Sequence, residues 1–280
     1  FYQGDITDAA FLTGITSDQP ITACVHLAAR AGVRPSIDQP ELYARVNVIG
    51  TTLMLEFART HGVPQFIFAS SSSVYGNQRK VPFSEADPAN DPISPYAATK
   101  KAGEMLCKTY AHLYGMQTTC LRFFTVYGPG GRPDMAPYLF TEALFKGEPI
   151  KQFGDGTTQR DYTYIDDIVS GVTAAIDHPK TFAIFNLGNN KTVALKDFIA
   201  TLERVSGIKA NIQVESPKPG DVPITYADIS TAQTELGYNP QIEIEVGLKR
   251  FVDWYRENRW PEVSGGGQSV EAVEEITTPS

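Results

Sequence analysis

The chain reads as an α/β protein: a doubly wound parallel sheet with a smaller α+β lobe. Two observations predict this. Over the first two-thirds, apolar strand-like runs alternate with amphipathic helical stretches, an order that lays helices over both faces of parallel strands. Beyond Tyr127 the texture changes. Glycine and proline become dense in Gly128-Pro129-Gly130-Gly131-Arg132-Pro133, and the mixed elements that follow fit a second lobe interleaved with the sheet.

Residues 21–27 are a short apolar run ending in Ala28-Ala29. Over 41–61, Leu42, Val46, Ile49, Leu53 and Phe57 recur at helical spacing and predict a buried face, with Gly62 as the stop. Residues 65–69 read as a second buried strand. Ser94-Pro95 caps and opens a helix to about residue 114, which Gly115 ends. A third strand spans 117–124. A helix is expected over 136–146, an edge-like segment over 149–153, helical character over 163–177 and a strand over 182–187. Two further helices are expected at 195–206 and 245–258. Residues 263–280, with Gly265-Gly266-Gly267 and then acidic and small residues, read as disordered.

Composition narrows the function. The 280 residues are 42% hydrophobic and 20% charged, enough for one large or two modest domains with a real core. Of the net charge of −8, half comes from Glu262, Glu271, Glu274 and Glu275 in the tail. So mildly acidic a body argues against a nucleic-acid or membrane-surface role, and no apolar run reaches the ~20 residues of a membrane span. Cys24, Cys107 and Cys120 lack metal-ligand spacing, and His26, His61, His112 and His178 are scattered. That pattern predicts no metal site and suits free thiols in a cytoplasmic protein.

One constellation carries chemistry. Tyr96 and Lys100 stand four apart in Ser-Pro-Tyr-Ala-Ala-Thr-Lys, on one face of a helix. An ammonium beside a phenol favours the phenolate, and a phenol tuned toward neutral pH is a general base for an alcohol proton. Ser70, Ser71, Ser72 and Ser73 directly follow the second strand, at the carboxyl end where doubly wound sheets place their ligands. A base aimed at an alcohol implies an oxidation, and an oxidation needs a hydride acceptor. Small residues at the end of the first strand would let a flat ring approach the backbone. Asn47 is a polar residue within an otherwise apolar-faced helix, read either as a ligand contact or as a surface amide.

With these motifs in view, the chain resembles the extended short-chain dehydrogenase/reductase superfamily of NAD-dependent nucleotide-sugar epimerases and dehydratases. The matching elements are His26-Leu27-Ala28-Ala29, the serines with Val74-Tyr75-Gly76, Tyr96-x-x-x-Lys100, Arg122-Phe123-Phe124-Thr125-Val126-Tyr127-Gly128-Pro129 and Arg160-Asp161-Tyr162-Thr163-Tyr164-Ile165-Asp166-Asp167. They span about residues 1–258. Ala31-Gly32-Val33-Arg34 and Thr125 through Ala136 resemble the signatures of the UDP-uronate C4-epimerase group.

The resemblance implies a Rossmann-like domain over 1–127 plus about 163–187 and a nucleotide-sugar lobe over 128–162 plus 188–262. It implies Ser71, Tyr96 and Lys100 as the catalytic set. It implies NAD contacts at Asp5, Ile6, Leu27, Ala28, Ala29, Asn47, Ser70, Tyr96, Lys100 and Phe123. Substrate contacts are implied at Arg34, Ser71, Ser72, Ser73, Thr125, Arg132, Arg160 and Asp221. Arg160 would meet the UDP diphosphate and Asp221 the uridine ribose, while Arg34 would meet either sugar or diphosphate. Related dehydratases carry an Asp-Glu pair, and sugar-acid decarboxylases a Glu, where this chain has Ser72 and Ser73, which leaves epimerisation. Arg132 would hold a sugar carboxylate in bidentate fashion, with Thr125 on its other face. A homodimer through helices 41–61 and 95–114 is implied as well. Two alternatives stay open: an epimerase of a neutral UDP-sugar, and a non-catalytic nucleotide-sugar-binding fragment.

One family feature is absent from the 280 residues. No glycine-rich fingerprint opens a βαβ unit ahead of a helix N-terminus. Phe1-Tyr2-Gln3-Gly4-Asp5-Ile6 resembles the end of a third strand, so the first βαβ unit is expected to be missing from an N-terminally truncated sequence. Such a chain is expected to bind NAD weakly or not at all.

Overall fold

The computed structural model describes residues 1–15, 19–216 and 222–260. The tail over 263–280 and Asp221 lie outside the described residues.

Four parallel strands form the main sheet, in the order Ala23–His26, Gln65–Ser71, Gln117–Phe123 and Phe182–Leu187. The register sets Ser70 beside Arg122 and Ser71 beside Phe123. Gln65–Ser71 is buried along nearly its whole length, so it carries apolar side chains on both faces. Phe66 and Phe68 pack with Leu55, Cys107 and Cys120 under one helical layer. Ile67 and Leu121 pack with Ile168 and Ala175 under the other. This is the expected doubly wound arrangement.

Helix Pro95–Tyr114 begins and ends as the sequence predicts. The Ser94 hydroxyl accepts the Ala97 amide at 3.1 Å, Pro95 occupies the first turn, and Gly115 ends the helix in the left-handed region. The helix lies close to the sheet because Gly103 faces the Phe68 ring. A Cβ on Gly103 would sit 2.2 Å from the Phe68 Cζ.

The second lobe gathers Phe140, Leu144, Ile150, Phe198, Leu202, Leu248 and Val252 into its own core. Helices Ala136–Lys146, Leu195–Ser206 and Ile244–Asn258 fall where the sequence places them. Thr125–Tyr127 pairs in parallel with Tyr162–Tyr164, a short pairing the sequence does not announce. Asp161, fully buried, pins this region. Its carboxylate accepts the amides of Asn189 at 2.6 Å and Ala227 at 3.1 Å, and its carbonyl accepts the Thr125 amide at 3.0 Å.

Two expectations fail. Residues 1–5 form no strand, and Phe1 is fully exposed, because no neighbouring strand pairs with them among the described residues. The helical stretch over 41–61 buries only part of the predicted face: Phe57 is buried, Leu42, Val46 and Leu53 are half-buried, and Ile49 is exposed. It runs through Pro40–Tyr43, a π-helical turn at Ala44–Ile49 and Gly50–Thr60. Tyr43, Asn47, Thr51 and Leu55 face inward at four-residue spacing together with Gly50, one position out of phase with the predicted set, and Ile49 is 53% exposed.

Replacing Gly103 by alanine improves helix propensity by about 1 kcal/mol but drives a methyl into a packed ring. Overpacking of this kind costs about 1–3 kcal/mol, so Gly103→Ala is expected to lower the urea midpoint. An unchanged or raised midpoint would mean that the helix is free to lift.

Candidate functional site

Two cavities meet at the carboxyl end of the sheet. One, of about 360 Å³, is lined by Ser71, Ser72, Ser73, Thr125, Arg132 and Arg160 among others. The second, of about 630 Å³, is lined by Leu27, Ala29, Ser70, Lys100 and Phe123 among others. Tyr96 and Arg132 line both. The fold thus separates most of the expected substrate residues from most of the expected cofactor residues and sets the expected base on the wall between them.

The serines leave the strand into a short 3₁₀ turn, Ser72–Tyr75. The Ser71 hydroxyl caps this turn by accepting the Ser73 amide at 3.2 Å. It also accepts the Ser73 hydroxyl at 3.0 Å, and it lines the same cavity as the Tyr96 phenol. Burial raises the Tyr96 phenol above its usual range, while the nearby Ser71 hydroxyl and Arg132 guanidinium pull it back.

The expected effect of Lys100 on Tyr96 is not what the structure shows. The Lys100 ammonium folds down onto the strand and donates to the Ala69 carbonyl at 2.7 Å. It lies 6.0 Å from the Tyr96 ring centroid, and burial pushes its own pKa down to about 8. Spacing of four residues sets two side chains on one face, but it does not fix which way a long ammonium stem turns. The cation acting on the phenol is Arg132.

Arg132 already holds a carboxylate. Its Nε donates to Asp134 Oδ1 at 3.0 Å and its Nη2 to Oδ2 at 2.5 Å. Both side chains are about half exposed, and an exposed pair is worth only ~0–1 kcal/mol, so an incoming carboxylate can displace Asp134. Gly32, at φ 109°, permits the approach, since a Cβ there would sit 3.2 Å from Arg132 Nη2.

Other expected contacts are placed differently from one another. Asn47 is buried and committed to protein: its Oδ1 accepts the Arg30 amide at 2.7 Å, and its Nδ2 donates to the Arg30 carbonyl at 2.9 Å and to Thr99 Oγ1 at 3.0 Å. It clamps the loop after the first strand onto helix Pro95–Tyr114. The Ser70 hydroxyl is likewise committed, donating to Glu104 Oε1 at 2.6 Å. Arg34 lies over the Phe153 ring at 5.3 Å, and both Arg34 and Arg160 line a third, smaller cavity. Ala28 is exposed. Ile6 packs where Gly50 has no side chain, and the Asp5 carboxylate accepts the Thr7 amide at 2.8 Å.

Sequence reasoning missed Tyr43, Glu104 and Asp134. Tyr43 meets Tyr96 edge-to-face at 6.3 Å and donates to the Ala31 carbonyl at 2.7 Å. Glu104 follows Lys100 by four residues on the same helix, a signal that was available.

The larger cavity suits a flat ring against apolar walls with one buried cation at its floor. The smaller suits a polar ligand with an anionic group. The family model described as GDP-mannose 4,6 dehydratase matches residues 1–251. The chain belongs to this family of NAD-dependent epimerases and dehydratases. It is 46% identical to UDP-glucuronate 4-epimerase 4 of Arabidopsis thaliana, over 90% of this chain and 62% of that protein. It is also 46% identical to UDP-glucuronate 4-epimerase of Thermodesulfobacterium geofontis, over 92% of this chain and 80% of that protein. Among solved structures, it is similar to UDP-glucuronic acid 4-epimerase of Bacillus cereus in complex with UDP-glucuronic acid and NAD. That match has a TM-score of 0.81 at 35% identity, over 91% of this chain and 80% of the other. It is similar as well to UDP-glucose 4-epimerase of Thermotoga maritima with UDP-glucose, with a TM-score of 0.87 at 33% identity, over 92% and 84%. The chain thus spans just under two-thirds of the length of the plant relatives.

His26, at the end of the first strand, gives a pH test of this region. Its Nε2 is 3.0 Å from Thr51 Oγ1, and burial, aided by Lys100, pushes its pKa from 6.5 down to about 4. The unfolded chain therefore binds a proton that the folded one refuses between those values. The stability that neutral His26 contributes is complete above about pH 6.5 and is lost as pH falls toward 4, by about 3 kcal/mol. His26→Gln is expected to lose less stability than the parent over this window in urea titrations. Equal losses would place the acid sensitivity elsewhere.

Proposed function

We propose that the protein carrying these 280 residues is an NAD-dependent C4-epimerase of a UDP-uronic acid, interconverting UDP-glucuronate and UDP-galacturonate. The observation that supports this best is the wall between the two cavities: a phenol that shares its cavity with a serine, next to a guanidinium able to grip a carboxylate. The relatives and neighbouring structures named for UDP-glucuronate point the same way.

In this reading Tyr96, ionised, takes the proton from O4 while Ser71 holds that oxygen by a hydrogen bond. When bound, NAD would supply a hydride acceptor and donor for C4. Leu27, Ala29 and Phe123 would hold the nicotinamide ring, with Lys100 at its ribose. Arg160 takes the diphosphate and Arg34 the sugar or diphosphate. Thr125 and Arg132 hold the C5 carboxylate. A 4-keto uronate is a β-keto acid and loses CO2 when the carboxylate bond lies along the carbonyl π system, so this grip protects the sugar while it turns. Ser72 and Ser73 offer no carboxylate acid or base for elimination.

We further propose the division into a cofactor domain and a sugar lobe set out above, a cytoplasmic location, and a homodimer. No described helix is long and apolar enough to cross a membrane. Ile49, Met105 and Leu113 expose apolar surface on the two helices expected at the dimer contact. The Arg132–Asp134 pair favours a second reading, a neutral UDP-sugar, because the fork is filled without substrate.

Two variants test these readings. Tyr96→Phe removes the base and is expected to abolish turnover; near-normal epimerisation would sink the assignment. Arg132→Ala should lower kcat/KM for UDP-glucuronate by about 10- to 100-fold, the worth of a charge-assisted bidentate pair, and UDP-glucose turnover far less. Equal losses on both sugars would favour the neutral substrate.

A further inference from the structure

Beneath the catalytic residues lies an ion pair that the reaction does not use. Arg122 and Glu104 are each 1% exposed, with Arg122 Nε 2.8 Å from Glu104 Oε1 and Nη2 2.9 Å from Oε2. Lys101 adds a third donor at 3.2 Å, and Ser70 a fourth at 2.6 Å. The other side of the Arg122 guanidinium lies over the Tyr75 ring, 4.7 Å from its centroid.

The partners of this cluster sit on four elements. Ser70 is the residue before Ser71 on its strand. Arg122 is Ser70's register partner on the next strand. Glu104 is one turn from Lys100 and two turns from Tyr96 on helix Pro95–Tyr114. Tyr75 closes the 3₁₀ turn that Ser71 caps. Charges taken out of water add little net stability even when paired, because desolvation offsets the attraction. Arg122 Nη1 has no hydrogen-bond partner, but the four donors on Glu104 still fix geometry, and turnover depends on geometry at the sub-ångström level.

We propose that the Glu104–Arg122 pair, acting through the Ser70 hydroxyl, is the positioning element that sets Ser71 against Tyr96. Two polar ties join the strand end to the helix: Lys100 to the Ala69 carbonyl and Ser70 to Glu104. Removing the second leaves Ser71 attached to a strand end that can drift from the phenol. Ser70 then serves the site from below, with its hydroxyl on Glu104 and not on a bound cofactor. The proposal rests on the epimerase reading for its kinetic arm.

Ser70→Ala is the test, because it deletes one hydrogen bond and leaves the ion pair and every charge in place. With the protein supplied with NAD and UDP-glucuronate, kcat is expected to fall about tenfold or more, with both KM values within about twofold and the melting temperature little changed. A kcat within about twofold of the parent, or a loss that vanishes at saturating NAD, would overturn the proposal. The parent measured alongside reports separately on the epimerase reading. If the parent turns over no UDP-sugar, hydrogen exchange decides alone. Faster exchange in Ser70→Ala confined to residues 70–76 and 94–100 supports the positioning role, and unchanged exchange there overturns it.

Discussion

The site depends on how closely one helix lies on one strand. Pro95–Tyr114 approaches Gln65–Ser71 at Gly103, where the Phe68 ring occupies the space a side chain would need. That contact sets the height of the helix over the sheet. Two polar ties at the strand end then set its position along it: Lys100 to the Ala69 carbonyl, and Ser70 to Glu104. Tyr96 and Ser71 line one cavity beside these contacts. Apolar packing alone would fix the distance between the layers but leave the helix able to slide, since dispersion contacts are non-directional.

From that seat the electrostatics follow. Burial works against a charged phenol at Tyr96 and against a charged ammonium at Lys100. The opposing influences on Tyr96 come from outside the helix, from Ser71 below and Arg132 across the cavity. In the proposed function Arg132 would act twice, as a fork for a carboxylate and as a charge that eases ionisation of the Tyr96 phenol. Asp134 moderates both effects by occupying the fork. A ligand carboxylate that takes the place of Asp134 would exchange one anion for another and keep Arg132 in position.

Much of this was legible in the sequence, for identifiable reasons. Ser94-Pro95 and Gly115 are end signals whose chemistry is local, so the helix bounds held. The serines after a buried strand and the Tyr96-x-x-x-Lys100 spacing placed the candidate catalytic residues at one end of the sheet. What stayed hidden depends on three-dimensional context. The inward set Tyr43, Asn47, Thr51 and Leu55 includes polar residues one position out of phase with the apolar spacing, so apolar periodicity alone picked the face only in part. Asn47 and Ser70 carry polar groups of the kind expected at a ligand, yet their partners, Arg30 and Glu104, lie 17 and 34 residues away. Lys100 was expected to face the phenol, and a backbone carbonyl won its ammonium.

The central claim is that Tyr96 removes only the hydroxyl proton while the hydrogen on C4 never reaches water. UDP-glucuronate deuterated at C4, turned over in ordinary water, tests this most directly. The account predicts UDP-galacturonate that keeps its deuterium at C4. Product that has exchanged the label for solvent hydrogen would contradict it.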